Sequence, residues 1–129
     1  MKKTLVLGAS LRTDRYSNFA IHSFIDKKYD VVGVGLKEGK IDGVSVYTGM
    51  PEFEDIHTIT LYLNPKRQED YYNYIISLNP QRVIFNPGTK NEIFEKLLDK
   101  NNIFYENSCT LVLLSTGQYW KFKVERSKK

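Results

Sequence analysis

Near-continuous apolar runs recur along the chain, with amphipathic stretches between them. Leu5-Val6-Leu7, Val31-Val32-Gly33-Val34, Ile59-Thr60-Leu61-Tyr62-Leu63, Val83-Ile84-Phe85 and Ile103-Phe104-Tyr105 hold few polar positions, the mark of strands buried on both faces. Tyr71, Tyr74, Ile75 and Leu78 fall at the i, i+3, i+4, i+7 spacing of a helix stripe. Asn91 stands as a capping residue before Glu92-Ile93-Phe94-Glu95-Lys96-Leu97-Leu98, whose apolar pairs lie four apart. Phe19, Ala20, Phe24 and Ile25 mark a first helix, with Ser17 or Asn18 as its cap. The runs follow one another at about one strand-plus-helix unit. Repeated βα units with right-handed crossovers are therefore predicted. The architecture they build is α/β and Rossmann-like: a doubly wound, mainly parallel five-stranded sheet with helices on both faces.

Two regions break the rhythm. Gly35 to Asp55 is glycine-rich and holds Val44-Ser45-Val46-Tyr47, which reads as a short extra strand or extended stretch, and Pro51 is placed to open a helical turn. Towards the end, Ser108 or Thr110 is placed to cap a short helix through Leu114. Trp120, Phe122 and Val124 then alternate with Lys121, Lys123 and Glu125, as in an edge strand with one wet face.

Composition narrows the class. A chain of 129 residues, 41% hydrophobic and 26% charged, has the make-up of one globular domain. Its apolar runs are far shorter than the ~20 residues of a membrane span, and the stretch after Lys2-Lys3 is too short for a signal-peptide core. The single cysteine, Cys109, excludes an intramolecular disulfide and fits a reducing, cytoplasmic setting. The net charge of +4 resides wholly in residues 118–129, leaving residues 1–117 neutral. Residues 1–117 are thus expected to form the domain and 118–129 a basic extension. With no recognised binding motif beside it, that extension is weak ground for a nucleic-acid reader.

In an open α/β sheet, ligands bind outside the carboxyl ends of the strands, and the first βα turn is the usual anion site. Here that turn reads Gly8-Ala9-Ser10-Leu11-Arg12-Thr13-Asp14-Arg15-Tyr16-Ser17-Asn18. Gly8 allows a sharp exit from the strand, Ser10, Thr13 and Ser17 are short donors, and Arg12 and Arg15 bring charge. The G-x-G-x-x-G dinucleotide fingerprint is absent, because Ser10 and Thr13 stand where its second and third glycines belong. The tip of the second strand carries a base, Lys37, instead of an acid. That cation suits a phosphorylated ribose, as in coenzyme A or NADP, and disfavours NAD.

In these residues the chain resembles the small, single-domain CoA-binding proteins, a family similar to the N-terminal CoA-binding domain of the succinyl-CoA synthetase alpha subunit. The likeness runs through Leu5-Val6-Leu7-Gly8-Ala9-Ser10, Tyr29-Asp30-Val31-Val32-Gly33-Val34-Gly35-Leu36-Lys37, Ile41-Asp42-Gly43-Val44-Ser45-Val46-Tyr47 and Leu61-Tyr62-Leu63-Asn64-Pro65. It continues through Gly88-Thr89-Lys90-Asn91-Glu92 and Asn107-Ser108-Cys109, covering about residues 3–115. The chain departs from the pattern at Gly35-Leu36, where the family has Asn-Pro, and at Asn86-Pro87, where it often has glutamine. At Asn64 and Ser108 the family carries arginine.

The resemblance implies a non-catalytic module for CoA or acyl-CoA. By the same resemblance, Gly8, Ala9 and Ser10 line the phosphates; Ser17, as a short donor in the same turn, is expected among the cofactor-binding residues. Arg12 and Lys37 meet ribose or pyrophosphate charge, and Leu63 and Asn64 flank the adenosine. Cys109, at the family's cysteine position, is placed to face the pantetheine thiol or to serve as a small buried residue. Two other readings stay open: an NADP-binding oxidoreductase or redox sensor, and a scaffold of the same fold without a ligand. His22 and His57 lack a second ligand at metal spacing, so no metal site is expected. The cluster Tyr71, Tyr72 and Tyr74 marks helix packing or a homodimer face.

Overall fold

Every strand of the predicted rhythm is present, but the sheet is wider than five strands. In the computed structural model, which describes residues 2–121, seven strands form one sheet. They are β1 (Lys3–Ala9), β2 (Asp30–Gly35), β3 (Gly39–Ile41), β4 (Val44–Tyr47), β5 (Ile56–Leu61), β6 (Arg82–Phe85) and β7 (Phe104–Asn107). The order across the sheet is β3-β4-β2-β1-β5-β6-β7, parallel throughout except for the antiparallel pair β3 and β4. The correction lies in the glycine-rich segment. Val44–Tyr47 pairs in parallel with β2, and Gly39–Ile41 folds back on it around Asp42-Gly43.

The helices are α1 (Tyr16–Asp26), α2 (Pro65–Gln68), α3 (Tyr72–Leu78), α4 (Glu92–Lys100) and α5 (Thr110–Ser115). Of the expected stripe, Tyr74, Ile75 and Leu78 lie in α3, while Tyr71 closes a 3-10 turn over Glu69–Tyr71 that separates α2 from α3. Leu5 and Leu7 of β1 face α3 and α4, in a core shared with Ile75, Phe94 and Leu98. Val6 faces α1 and α5, in a second core with Ala20, Ile21, Phe24 and Leu114. Each fully buried leucine or phenylalanine contributes about 1.5–3 kcal/mol, which explains why the continuous apolar runs foretold a sheet covered on both faces.

The expected caps and turns are corrected. Arg15 is the N-cap of α1 and makes no side-chain cap bond; Ser17 and Asn18 lie inside the helix, buried. Cys109 holds the N-cap position of α5, with Thr110 already helical and Ser108 outside. Pro51 opens no helix; its carbonyl accepts from the Tyr74 hydroxyl at 2.6 Å. Asn91 does cap α4, accepting from the Phe94 amide at 3.0 Å. Phe122 and Val124 of the expected edge strand lie outside the described residues, and Trp120 sits in a turn.

That turn plugs the amino ends of the strands. Tyr119 is buried, its hydroxyl hydrogen-bonded to Thr4 at 2.9 Å. The fully buried Arg82 donates to the Tyr119 carbonyl at 2.8 Å and pairs with Glu106 at 3.2 Å. Its guanidinium lies over the Tyr119 ring at 4.5 Å and the Trp120 ring at 5.5 Å.

Candidate functional site

The strand order reverses at β1, with β2 on one side and β5 on the other. A cleft of about 520 Å³ opens there, at the carboxyl ends of all three strands, where open α/β sheets place their ligands. Gly8 shapes its floor. With φ at +97°, it shifts the register so that Ala9 faces the α1 side along with Val6, against strict alternation. A Cβ on Gly8 would press on the Tyr62 carbonyl group and on Leu63 at 3.0–3.1 Å.

The first loop is held from within. Ser10 donates its amide to Ser17 Oγ at 3.1 Å, and its carbonyl accepts from Asn18 Nδ2 at 3.0 Å. Its hydroxyl accepts from the Arg12 amide at 3.1 Å, which leaves the hydroxyl proton to donate elsewhere. Ser17 and Asn18, expected as caps, are the residues that tie the loop to α1. The α1 N-terminus carries no side-chain cap, whereas Asn64 caps α2 and Asn91 caps α4. An uncapped helix start beside a cleft presents amide donors and the positive end of the dipole to an anion.

Four cations line the cleft: Arg12, Arg15, Lys37 and Arg67. Arg12 is engaged with Asp14 through two contacts, Nε–Oδ1 at 3.2 Å and Nη2–Oδ2 at 3.0 Å. That guanidinium holds the Asp14 carboxyl below its ordinary range. Arg15, Lys37 and Arg67 form no ion pair with a described residue. The lining contains no carboxylate, imidazole or thiol. Tyr62 lines one wall, and burial pushes its hydroxyl well above the ordinary value, so it remains a neutral donor.

Of the nine residues singled out in the sequence, the cleft gathers Gly8, Ala9, Ser10, Arg12, Lys37 and Leu63. Ser17 lies behind the loop it supports. Asn64 is outside the lining and caps α2, accepting from the Arg67 amide at 2.9 Å. Cys109 is half-buried and also outside the lining, close enough to Tyr62 to reinforce its upward shift. Residues missed in the sequence include Arg67 and Tyr71. The signal for Arg67 was present in Asn64-Pro65, a cap followed by proline at the first helical position, which starts a helix and sets Arg67 on its opening turn.

Comparison with known proteins decides the family. The sequence pattern of the CoA binding domain matches residues 2–115. The chain belongs to the CoA-binding domain family. A crystal structure of an uncharacterized protein is 46% identical, with a TM-score of 0.87 over 92% of this chain and 98% of that one. Two more distant structures share the fold. A hypothetical protein from Pyrococcus horikoshii is 24% identical, with a TM-score of 0.80 over 89% of this chain and 82% of that one. A Thermus thermophilus protein is 20% identical, with a TM-score of 0.79 over 91% and 90% of the two chains. No curated protein matches. Among the described residues of this CoA-binding domain, no cluster suits a metal ion and no helix is long and apolar enough to cross a membrane.

Proposed function

We propose that this CoA-binding domain holds CoA or an acyl-CoA in the cleft between β2, β1 and β5, and that it binds without catalysing a reaction. The observation that carries the reading is the set of cations: Arg15, Lys37 and Arg67 come from the three segments that follow β1, β2 and β5 and form no ion pair with a described acid. Three convergent positive charges call for a ligand with several phosphate charges, and CoA carries a pyrophosphate and a ribose phosphate. The cleft volume falls within the ~300–1,000 Å³ common for small-molecule sites. Glycine at position 8 keeps the floor open for a backbone-to-phosphate approach, since a side chain there would displace the opposite wall.

On this reading the uncapped α1 start, the Ser10 hydroxyl and Arg15 meet the pyrophosphate. Arg12 joins them by sharing its fork between Asp14 and the ligand. Lys37, at the tip of β2, meets the ribose phosphate, and Leu63 borders the nucleoside. The non-catalytic part rests on the lining, which offers no group able to take a proton near neutral pH. Cys109 lies outside the lining, which favours the structural role over a thiol partner for pantetheine.

Thermal melts with CoA, dephospho-CoA, NADP and NAD test the reading. CoA at a hundredfold its dissociation constant should stabilise the fold by about 2.7 kcal/mol, and NAD should have no effect. Melts unmoved by both CoA forms would remove the proposal. Selective stabilisation by NADP would replace it with a nicotinamide-binding role.

A further inference from the structure

Arg67 enters the cleft from the side opposite Lys37, and an unusual share of buried hydrogen bonding fixes its position. It belongs to a helix of four residues, too short to hold itself together in water. Asn64 secures the start of that helix through the Arg67 amide. The next residue, Gln68, is fully buried and donates to the carbonyls of Leu63 and Thr89, both at 2.8 Å. Gln68 Oε1 accepts from Asn91 Nδ2 at 3.0 Å, and the same nitrogen donates to the Tyr72 hydroxyl at 2.9 Å. Burying two amide side chains is tolerable only where their hydrogen bonds are made, as these are. The network clamps the backbone on both sides of a side chain that is itself exposed and lines the cleft.

Asn64 occupies the amide that this helix start would otherwise turn towards an anion. Positive charge from the β5 side therefore has to come from the Arg67 guanidinium. Since β1 lies between β2 and β5, the strands that lead into the Lys37 and Arg67 segments stand two spacings apart, about 10 Å. If Lys37 takes the ribose phosphate, the only other charge on CoA is the pyrophosphate, because the pantetheine arm is neutral. We propose that Arg67 is the pyrophosphate clamp of this site, reading the part of the ligand common to CoA and dephospho-CoA. A planar two-pronged donor fits a phosphate oxygen pair better than an ammonium does. The inference rests on the CoA reading above.

Isothermal titration of CoA and dephospho-CoA into wild type, Arg67→Gln, Arg67→Lys and Lys37→Gln separates the two. Arg67→Gln should weaken both ligands by the same factor, about tenfold or more, with Arg67→Lys recovering part of the loss. Lys37→Gln should weaken CoA more than dephospho-CoA. Unchanged affinities in Arg67→Gln would overturn the clamp and leave the CoA reading standing. A loss confined to CoA would also overturn it, by assigning Arg67 to the ribose phosphate. A wild type that binds neither ligand would instead sink the CoA reading itself. Arg67 is exposed, so the ligand-free melting temperature of Arg67→Gln should match wild type and exclude a folding artefact.

Discussion

Gly35 passes so close to Ala9 that a Cβ at position 35 would fall on the Ala9 carbonyl oxygen. The contact is made at the point where the β1–β2 register shifts, between Leu7 and Ala9. The chain thus replaces a stiff Asn-Pro turn with a glycine seated against the first strand, and Lys37 follows two residues later. Gly35→Ala should lower stability by about 1–3 kcal/mol, as overpacking does, and should weaken CoA binding by moving the β2 tip. Gly39→Ala is the control. Its Cβ would meet only the flexible end of Leu11, so denaturant melts should show a smaller loss.

Ser17 is buried, and its hydroxyl oxygen accepts the Ser10 amide. Ser17→Ala leaves that amide without its partner at a part-buried site, a loss of about 1–3 kcal/mol. Faster amide exchange at Ser10 and a lower denaturation midpoint are the expected readouts. Ser17→Ala should also weaken CoA, because Ser10 and Arg12 are positioned through the same loop.

Stability should fall on mild acidification through His57. Burial, with Arg82 and Lys2 nearby, holds its imidazole below the ordinary value of 6.5. The ring packs edge-on against Trp120 at 5.1 Å and shares a hydrogen bond with Thr58 at 2.9 Å. The folded chain therefore favours the neutral ring, and the unfolded chain binds the proton more readily. The contribution is complete above the unfolded value and drains away as pH drops through 6.5 towards the folded one. Denaturant midpoints between pH 8 and 5 should decline, and His57→Gln should flatten that decline.

The doubly wound plan was legible because β1, β5 and β6 are covered on both faces and read as unbroken apolar runs. Gly39–Ile41 was not, since a three-residue strand that opens on a glycine carries no periodicity. Ser17 and Asn18 misled for a physical reason. Short polar side chains before an apolar stripe serve equally as caps or as inward anchors for a preceding loop, and only the path of that loop decides. For Arg67, Asn64-Pro65 marks the helix start, but within the charged string Lys66-Arg67-Gln68-Glu69-Asp70 nothing in the spacing shows which residue turns to the cleft. Cys109 was placed by family likeness alone, and the structure puts it at the start of α5, outside the lining.

The plug formed by Tyr119 and Trp120 has a practical corollary. The chain has a single tryptophan, and it sits at the opposite end of the strands from the cleft, with the Lys2 ammonium over its ring at 4.9 Å. Its emission is a gauge of whether the sheet's far rim is intact and is blind to nucleotide occupancy. Optical titrations that look silent would say nothing about the ligand, so calorimetric or mass-based detection has to carry that measurement.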